Sequence, residues 1–223
     1  MPFLISQQLL FVMPKLYLLG GENVLRRNAR IVNERAFQDA KQPIDVLVFS
    51  WARASFDRKY GKRKLFSDYL ISLGACSVNF VSYSDSPEFI EEKMKGASMV
   101  YLTGGLPSVL IERLKKRDID KLLFAYKGVI VGRSAGALAL CSHCITTVRS
   151  SSKVRIVDGL GLANITLKVH YTPEKEDILL SFSKQEKVYA VPEGSALVFN
   201  NDIFEVIGKA YLFENGEKQI ILT

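Results

Sequence analysis

The stretch from Val129 to Leu140, V-I-V-G-R-S-A-G-A-L-A-L, restricts the fold more than any other part of the chain. Strong strand formers stop at Gly132, and alanine and leucine take over two residues after Ser134. The segment therefore reads as a buried strand, a sharp turn and the start of a helix. A serine at the apex of so tight a turn sits in strained backbone, where side chains two residues before and two after it would collide. Gly132 and Gly136 occupy those two places. The amides that open the helix, beginning with Ala135, point at an oxygen near the hydroxyl and can stabilise negative charge there. Taken alone, G-x-S-x-G fits both a nucleophile elbow and an ordinary strand-to-helix turn, so other segments have to decide.

The preceding residues repeat the same alternation. Lys15 to Leu19 reads as a strand ended by Gly20-Gly21, followed by a charged helix from Asn23 to Lys41. Ile44 to Phe49 is a second strand, apolar throughout as in a sheet covered on both faces, and Ser55 to Leu73 is a helix closed by Gly74. A strand at Cys76 to Tyr83, a short helix at Pro87 to Lys95 and a strand at Met99 to Leu102 lead to Thr103-Gly104-Gly105. A helix then starts at Pro107, breaks near Arg117 and ends at about Tyr126. With the elbow strand this makes five strands separated by helices, an α/β pattern that requires a doubly wound, mostly parallel sheet between two helical layers.

The elbow helix is expected to run on through Cys141-Ser142-His143-Cys144, and the texture changes after it. Thr146 to Ser152 reads as a polar loop and Val154 to Gly161 as turns. Ile165 to Tyr171 alternates as a half-covered strand does. A helix at Glu174 to Ser183, a strand at Val188 to Val191 and an antiparallel meander over Ala196 to Asn200, Phe204 to Ile207, Ala210 to Phe213 and Gln219 to Leu222 complete the pattern. Nothing between 13 and 223 marks a boundary, so one domain is expected. Residues 1–12, apolar but without a basic start or small-residue cleavage site, read as an appendage or an upstream start ahead of Met13. No apolar run approaches the ~20 residues of a spanning helix.

A formal charge of +7 invites a nucleic-acid reading, with Arg26, Arg27 and Arg30 on one helix and Arg58, Lys59, Lys62, Arg63 and Lys64 on another. These cations alternate with carboxylates elsewhere and form no nucleic-acid motif, so a solvated helix face is the better reading. Three cysteines, Cys76, Cys141 and Cys144, make no disulfide framework and fit a reducing cytoplasm. No second ligand pair accompanies Cys141 and Cys144, so no metal is expected.

A serine hydroxyl needs a base, and the base needs an acceptor on its far nitrogen. The chain has two histidines. His143 is nine residues beyond Ser134 on what reads as the same helix, whereas His170 ends a strand and is the candidate base. Ligands in open α/β sheets bind beyond the carboxyl ends of strands, where Gly104-Gly105, Ser134, His170 and Glu193 all fall. Glu193, in V-P-E-G, is the first choice for the acceptor, and Asp158, in I-V-D-G, competes with it. The order serine, histidine, acid differs from that of α/β-hydrolases. The Gly104-Gly105 turn could bring a second backbone donor near Ser134, because glycine allows close approach.

Taken together, V-Y-L-T-G-G-L-P-S-V-L, the elbow some thirty residues on, V-D-G-L-G-L, K-V-H-Y and A-V-P-E-G-S-A-L-V resemble peptidase E, the aspartyl dipeptidase family, over most of the chain from Lys15. The resemblance implies a fold like class I glutamine amidotransferases and a catalytic set at Ser134, His170 and Glu193. It also implies an oxyanion hole at Gly105 and Ala135, and no cofactor. Two departures stand out. Leu106 follows the glycine pair where the family often has Asn, and the segment after His170, T-P-E-K-E-D-I-L-L, has Lys175 as its only cation where the family carries an arginine that recognises substrate aspartate. Lysine lacks the guanidinium fork, which leaves Lys175, Arg133 or Arg149 as stand-ins for substrate binding.

The expected function is therefore that of a cytoplasmic serine exopeptidase or dipeptidase working through an acyl-enzyme. Its expected partner is a short peptide substrate, with neither nucleic acid nor membrane, and a homodimer is compatible with it. The alternatives are a cyanophycinase-like hydrolase of another amide and a catalytically silent binding protein on the same fold.

Overall fold

Consecutive apolar residues on a strand must bury both faces, and here the two sets of alternate side chains enter two separate cores. The structure is a computed structural model and describes residues 13–53, 63–147, 154–200 and 203–222. Strands β1 (Lys15–Leu19), β2 (Asp45–Phe49), β3 (Ser77–Val81), β4 (Met99–Leu102) and β5 (Val129–Arg133) all run parallel. Leu16, Leu18, Phe49, Leu102 and Ile130 face one core, and Tyr17, Leu19, Val48, Tyr101 and Val131 the other. Helices α1 (Arg30–Asp39) and α2 (Arg63–Ile71) close the second core with Val32, Phe37, Phe66 and Leu70. Helices α3 (Pro87–Gly96), α4 (Pro107–Lys115), α5 (Ile119–Ala125) and α6 (Ala135–Leu140) close the first, through Ile90, Leu110, Leu123 and Leu138 among others.

Beyond α6 the chain builds a second sheet. Its elements in order are β6 (Cys141–Thr147), β7 (Val154–Asp158), β8 (Ala163–Val169), a 3-10 turn at Pro173–Lys175, α7 (Glu176–Phe182) and β9 (Val188–Val191). Strands β10 (Ala196–Asn200) and β11 (Ile203–Ile207) then return to the first sheet, and β12 (Lys209–Glu214) and β13 (Glu217–Leu222) finish the second. The first sheet has the order β11-β10-β1-β5-β4-β2-β3, with β10 and β11 antiparallel, and the second β13-β12-β9-β8-β6-β7. The C-terminal strands are antiparallel as expected, but they are divided between two sheets instead of forming one meander.

Local chemistry explains where the elements depart from expectation. Helix α1 starts at Arg30, not Asn23, because residues 23–29 form turns in which side-chain amides compete for the backbone. Asn28 Oδ1 accepts from the Asn23 amide at 2.8 Å, and Arg27 has φ of 50°. Arg26 and Arg27 therefore lie outside the helix that carries Arg30. Helix α6 stops at Leu140, and Cys141 to Thr147 becomes a strand through its pairing with β7 and β8. His143 is thus on β6, which pairs with β7, a strand where turns were expected. Residues 1–12, Arg58, Lys59, Lys62 and Arg149 lie outside the described residues. Among the described residues no helix is long and apolar enough to cross a membrane.

Candidate active site

Ser134 sits between β5 and α6 with φ 54° and ψ −108°, a conformation that side chains rarely adopt and that clusters at active sites. Both flanking glycines are required by contact. A β-carbon on Gly132 would lie 2.7 Å from the Ala137 amide nitrogen, and one on Gly136 would lie 2.2 Å from the Leu102 carbonyl oxygen. The Ser134 amide donates to the Leu19 carbonyl at 3.0 Å, fixing the apex against β1. Gly104 lies directly against this serine, since a β-carbon there would be 3.8 Å from Ser134 Oγ. Gly105, at φ 156°, is held down by the loop after β2: the Leu106 amide donates to the Ala52 carbonyl, which leaves no space for a side chain on Gly105.

The other two groups come from the second sheet. Strands β8 and β9 are parallel neighbours in register Val169↔Val191, so their carboxyl ends deliver His170 and Glu193 side by side. Ser134 Oγ is 2.7 Å from His170 Nε2, and His170 Nδ1 is 3.0 Å from Glu193 Oε1. His170 has φ of 51°, a second non-glycine residue in the left-handed region at the same place. Asp158, the competing acid, is elsewhere. Its carboxylate is 3.8 Å from His143 Nε2, and Glu186 holds the other nitrogen of that ring at 3.0 Å. The residues therefore share not one sheet edge but the junction of two sheets.

Sequence reasoning missed the loop that joins them. Gly20 and Gly21 follow β1, and their backbone is bonded to the loops that carry His170 and Glu193. The His170 amide donates to the Gly20 carbonyl at 2.8 Å, the Gly194 amide to the Gly21 carbonyl at 3.0 Å, and the Gly20 amide to the Ser195 carbonyl at 3.0 Å. The imidazole lies on Gly21, where a β-carbon would be 2.4 Å from His170 Cε1 and 2.6 Å from Nδ1. A glycine pair at the end of the first strand was the available signal, but it read only as a strand terminator.

These groups open into a cleft of about 870 Å³ beyond the carboxyl ends of β1, β2, β4 and β5. In its wall Arg133 is 7% exposed. Its guanidinium is 3.7 Å from the fully buried Glu22 carboxylate and stacks over the Phe66 ring at 5.2 Å. Burial pushes the Glu22 carboxyl up and the Arg133 charge opposes it, while Asn33 donates to Glu22 at 3.0 Å. Lys175, in the 3-10 turn after His170, is not among the residues lining this cleft. Burial, with the Lys175 charge adding to it, lowers the neighbouring Lys168 ammonium to about 8. A separate cavity of about 600 Å³ lies at the opposite, amino ends of the parallel strands, against Pro43, Met94 and Tyr126, away from these groups.

The sequence pattern of peptidase family S51 matches residues 56–207. An uncharacterized peptidase of Listeria monocytogenes serovar 1/2a is 28% identical over 153 residues, which is 63% of this chain and 74% of that protein. The fold is similar to the crystal structure of a peptidase from an acI-B1 actinobacterium, with TM-score 0.72, 23% identity and 95% of each chain covered. It is also similar to a candidate peptidase E protein from Listeria monocytogenes EGD-e, with TM-score 0.64, 19% identity, 87% of this chain and 98% of that one.

Proposed function

The chain belongs to peptidase family S51 and is a serine-type peptidase, and from that premise we propose that it is an exopeptidase that cleaves dipeptides and other short peptides through Ser134, His170 and Glu193. The observation that carries this reading is the continuous relay from Ser134 Oγ through both imidazole nitrogens to Glu193, at 2.7 and 3.0 Å. In it, His170 Nε2 takes the serine proton as Oγ attacks the scissile carbonyl, and returns it to the leaving amine. Glu193 accepts from Nδ1–H, holds the productive tautomer and stabilises the imidazolium. The amides of Ala135 and Gly105 are the donors assigned to the oxyanion, each such donor contributing about 3 kcal/mol in known hydrolases. Water then enters by the same base and releases the acyl group.

The open cleft, with its histidine and glutamate about half exposed, suits a short chain end. The cytoplasm is the compartment we assign, on the three thiols that form no disulfide. The test is hydrolysis of a dipeptide library by the purified protein and by Ser134→Ala. Cleavage by the first and a loss of at least about 1,000-fold in the second is expected. Equal rates would exclude the reading.

A further inference from the structure

Large apolar side chains are costly to leave in water when they converge on one cleft, and such convergence marks a binding surface. Leu25 is 69% exposed and Leu106 52% exposed, and both lie on the rim of the cleft that holds Ser134. Val24, Leu65 and Ala52 continue the same surface inward. Of the two arginines lining this cleft, Arg53 and Arg133, the second is buried, paired with Glu22 and stacked on Phe66. A substrate carboxylate would have to compete with the buried Glu22 for this guanidinium. Leu106 directly follows Gly105, and the acyl residue must place its carbonyl between Ser134 and the Gly104-Gly105 turn. Leu106 therefore borders the part of the cleft that the acyl residue enters.

We propose that the cleft selects substrates with an apolar residue, of the size of leucine or phenylalanine, on the acyl side of the scissile bond, and that Leu25 and Leu106 determine this preference. The inference rests on Ser134 being the nucleophile, as proposed above. It makes the chain a peptidase for apolar amino-terminal residues rather than for aspartate.

The test uses the full chain and two readouts. The first is kcat/KM for dipeptides whose first residue is Leu, Phe, Ala, Lys or Asp. The second is the rate at which aminoalkylphosphonate diphenyl esters with leucine-like or aspartate-like side chains modify Ser134, a reaction that needs no turnover. The leucine and phenylalanine compounds should exceed the aspartate ones by about tenfold or more in each readout that gives a rate. Leu106→Asn should narrow that ratio by about tenfold, the usual range for a polar change in an apolar pocket. Equal rates, or faster reaction of the aspartate compounds through Arg53 at the rim, would overturn the apolar subsite and leave the nucleophile assignment standing. A folded protein that reacts with neither phosphonate and cleaves no dipeptide would overturn both.

Discussion

Gly21→Ala is a small change that should disable the site from beneath the imidazole. A β-carbon at Gly21 would lie 2.4 Å from His170 Cε1, 2.6 Å from Nδ1 and 3.0 Å from Glu193 Cγ, and the position has φ of 153°. Non-bonded carbons settle at about 3.5–4.0 Å, so the ring has to move by more than about 1 Å. His170 is anchored by its own amide to the Gly20 carbonyl, so its side chain has to yield, not its backbone. Such a shift takes the Ser134 to His170 contact from 2.7 Å past the limit of a hydrogen bond. Misplacement on this scale costs about 100-fold in rate, and the strained backbone about 1–3 kcal/mol, or a few degrees in Tm for a domain of this size. The assay is stopped-flow release of p-nitrophenol from an activated ester, which reports acylation without a known peptide substrate, together with a thermal melt. A folded Gly21→Ala protein that acylates at the parent rate would refute the argument that this glycine seats the base.

Exchange of the two candidate acids separates their roles: Glu193→Gln should lower kcat by about 1,000- to 10,000-fold, as tautomer control is lost, whereas Asp158→Asn should change it less than about threefold. Steady-state kinetics on any cleaved dipeptide decides this, and the reverse order would transfer the acceptor role to Asp158. Lys168→Met tests a buried amine whose Nζ donates to the Val169 carbonyl. The ammonium falls from its ordinary 10.5 to about 8 on folding, so below pH 8 it is charged in both states and its burial costs about 3 kcal/mol at most. Between pH 8 and 10.5 the folded chain sheds the proton first and stability from this group rises with pH. The methionine variant should therefore be more stable than the parent at pH 7, by about 1–2 kcal/mol once the lost hydrogen bond is counted, and lose that advantage by pH 10 in urea unfolding. A variant that is less stable by the same amount at both pH values contradicts this.

The five parallel strands and their helices were legible because each signal was local: continuous apolar runs, glycine at strand ends, and Pro87 and Pro107 at helix starts. The break between α4 and α5 was legible too, and it falls at Asp118, with φ of 56°. Less legible was anything that depends on long-range partnership. The run Cys141 to Thr147 has no feature that says it begins a second sheet; only its pairing with β7 and β8 decides against helix. The last four strands carry the same alternation whether they pair with β1 or with β9, so their division between sheets was hidden. At the candidate site, Ser134 and its glycines were proposed from one turn, and His170 from its strand end. Glu193 was preferred to Asp158, but each precedes a glycine after apolar residues, in V-P-E-G and I-V-D-G, and in the structure each one meets a different histidine. Gly21 was invisible as a site residue because its importance lies in an imidazole about 150 positions away in sequence.

The central claim is that His170 makes Ser134 a nucleophile, and covalent trapping tests it most directly. The purified chain and its His170→Ala variant are treated with a fluorophosphonate and mapped by peptide mass spectrometry, with circular dichroism to establish that both are folded. A single adduct on Ser134 in the parent and a rate at least about 1,000-fold lower in the variant are expected. A folded parent that takes no label at Ser134, or a variant that labels as fast as the parent, would contradict it.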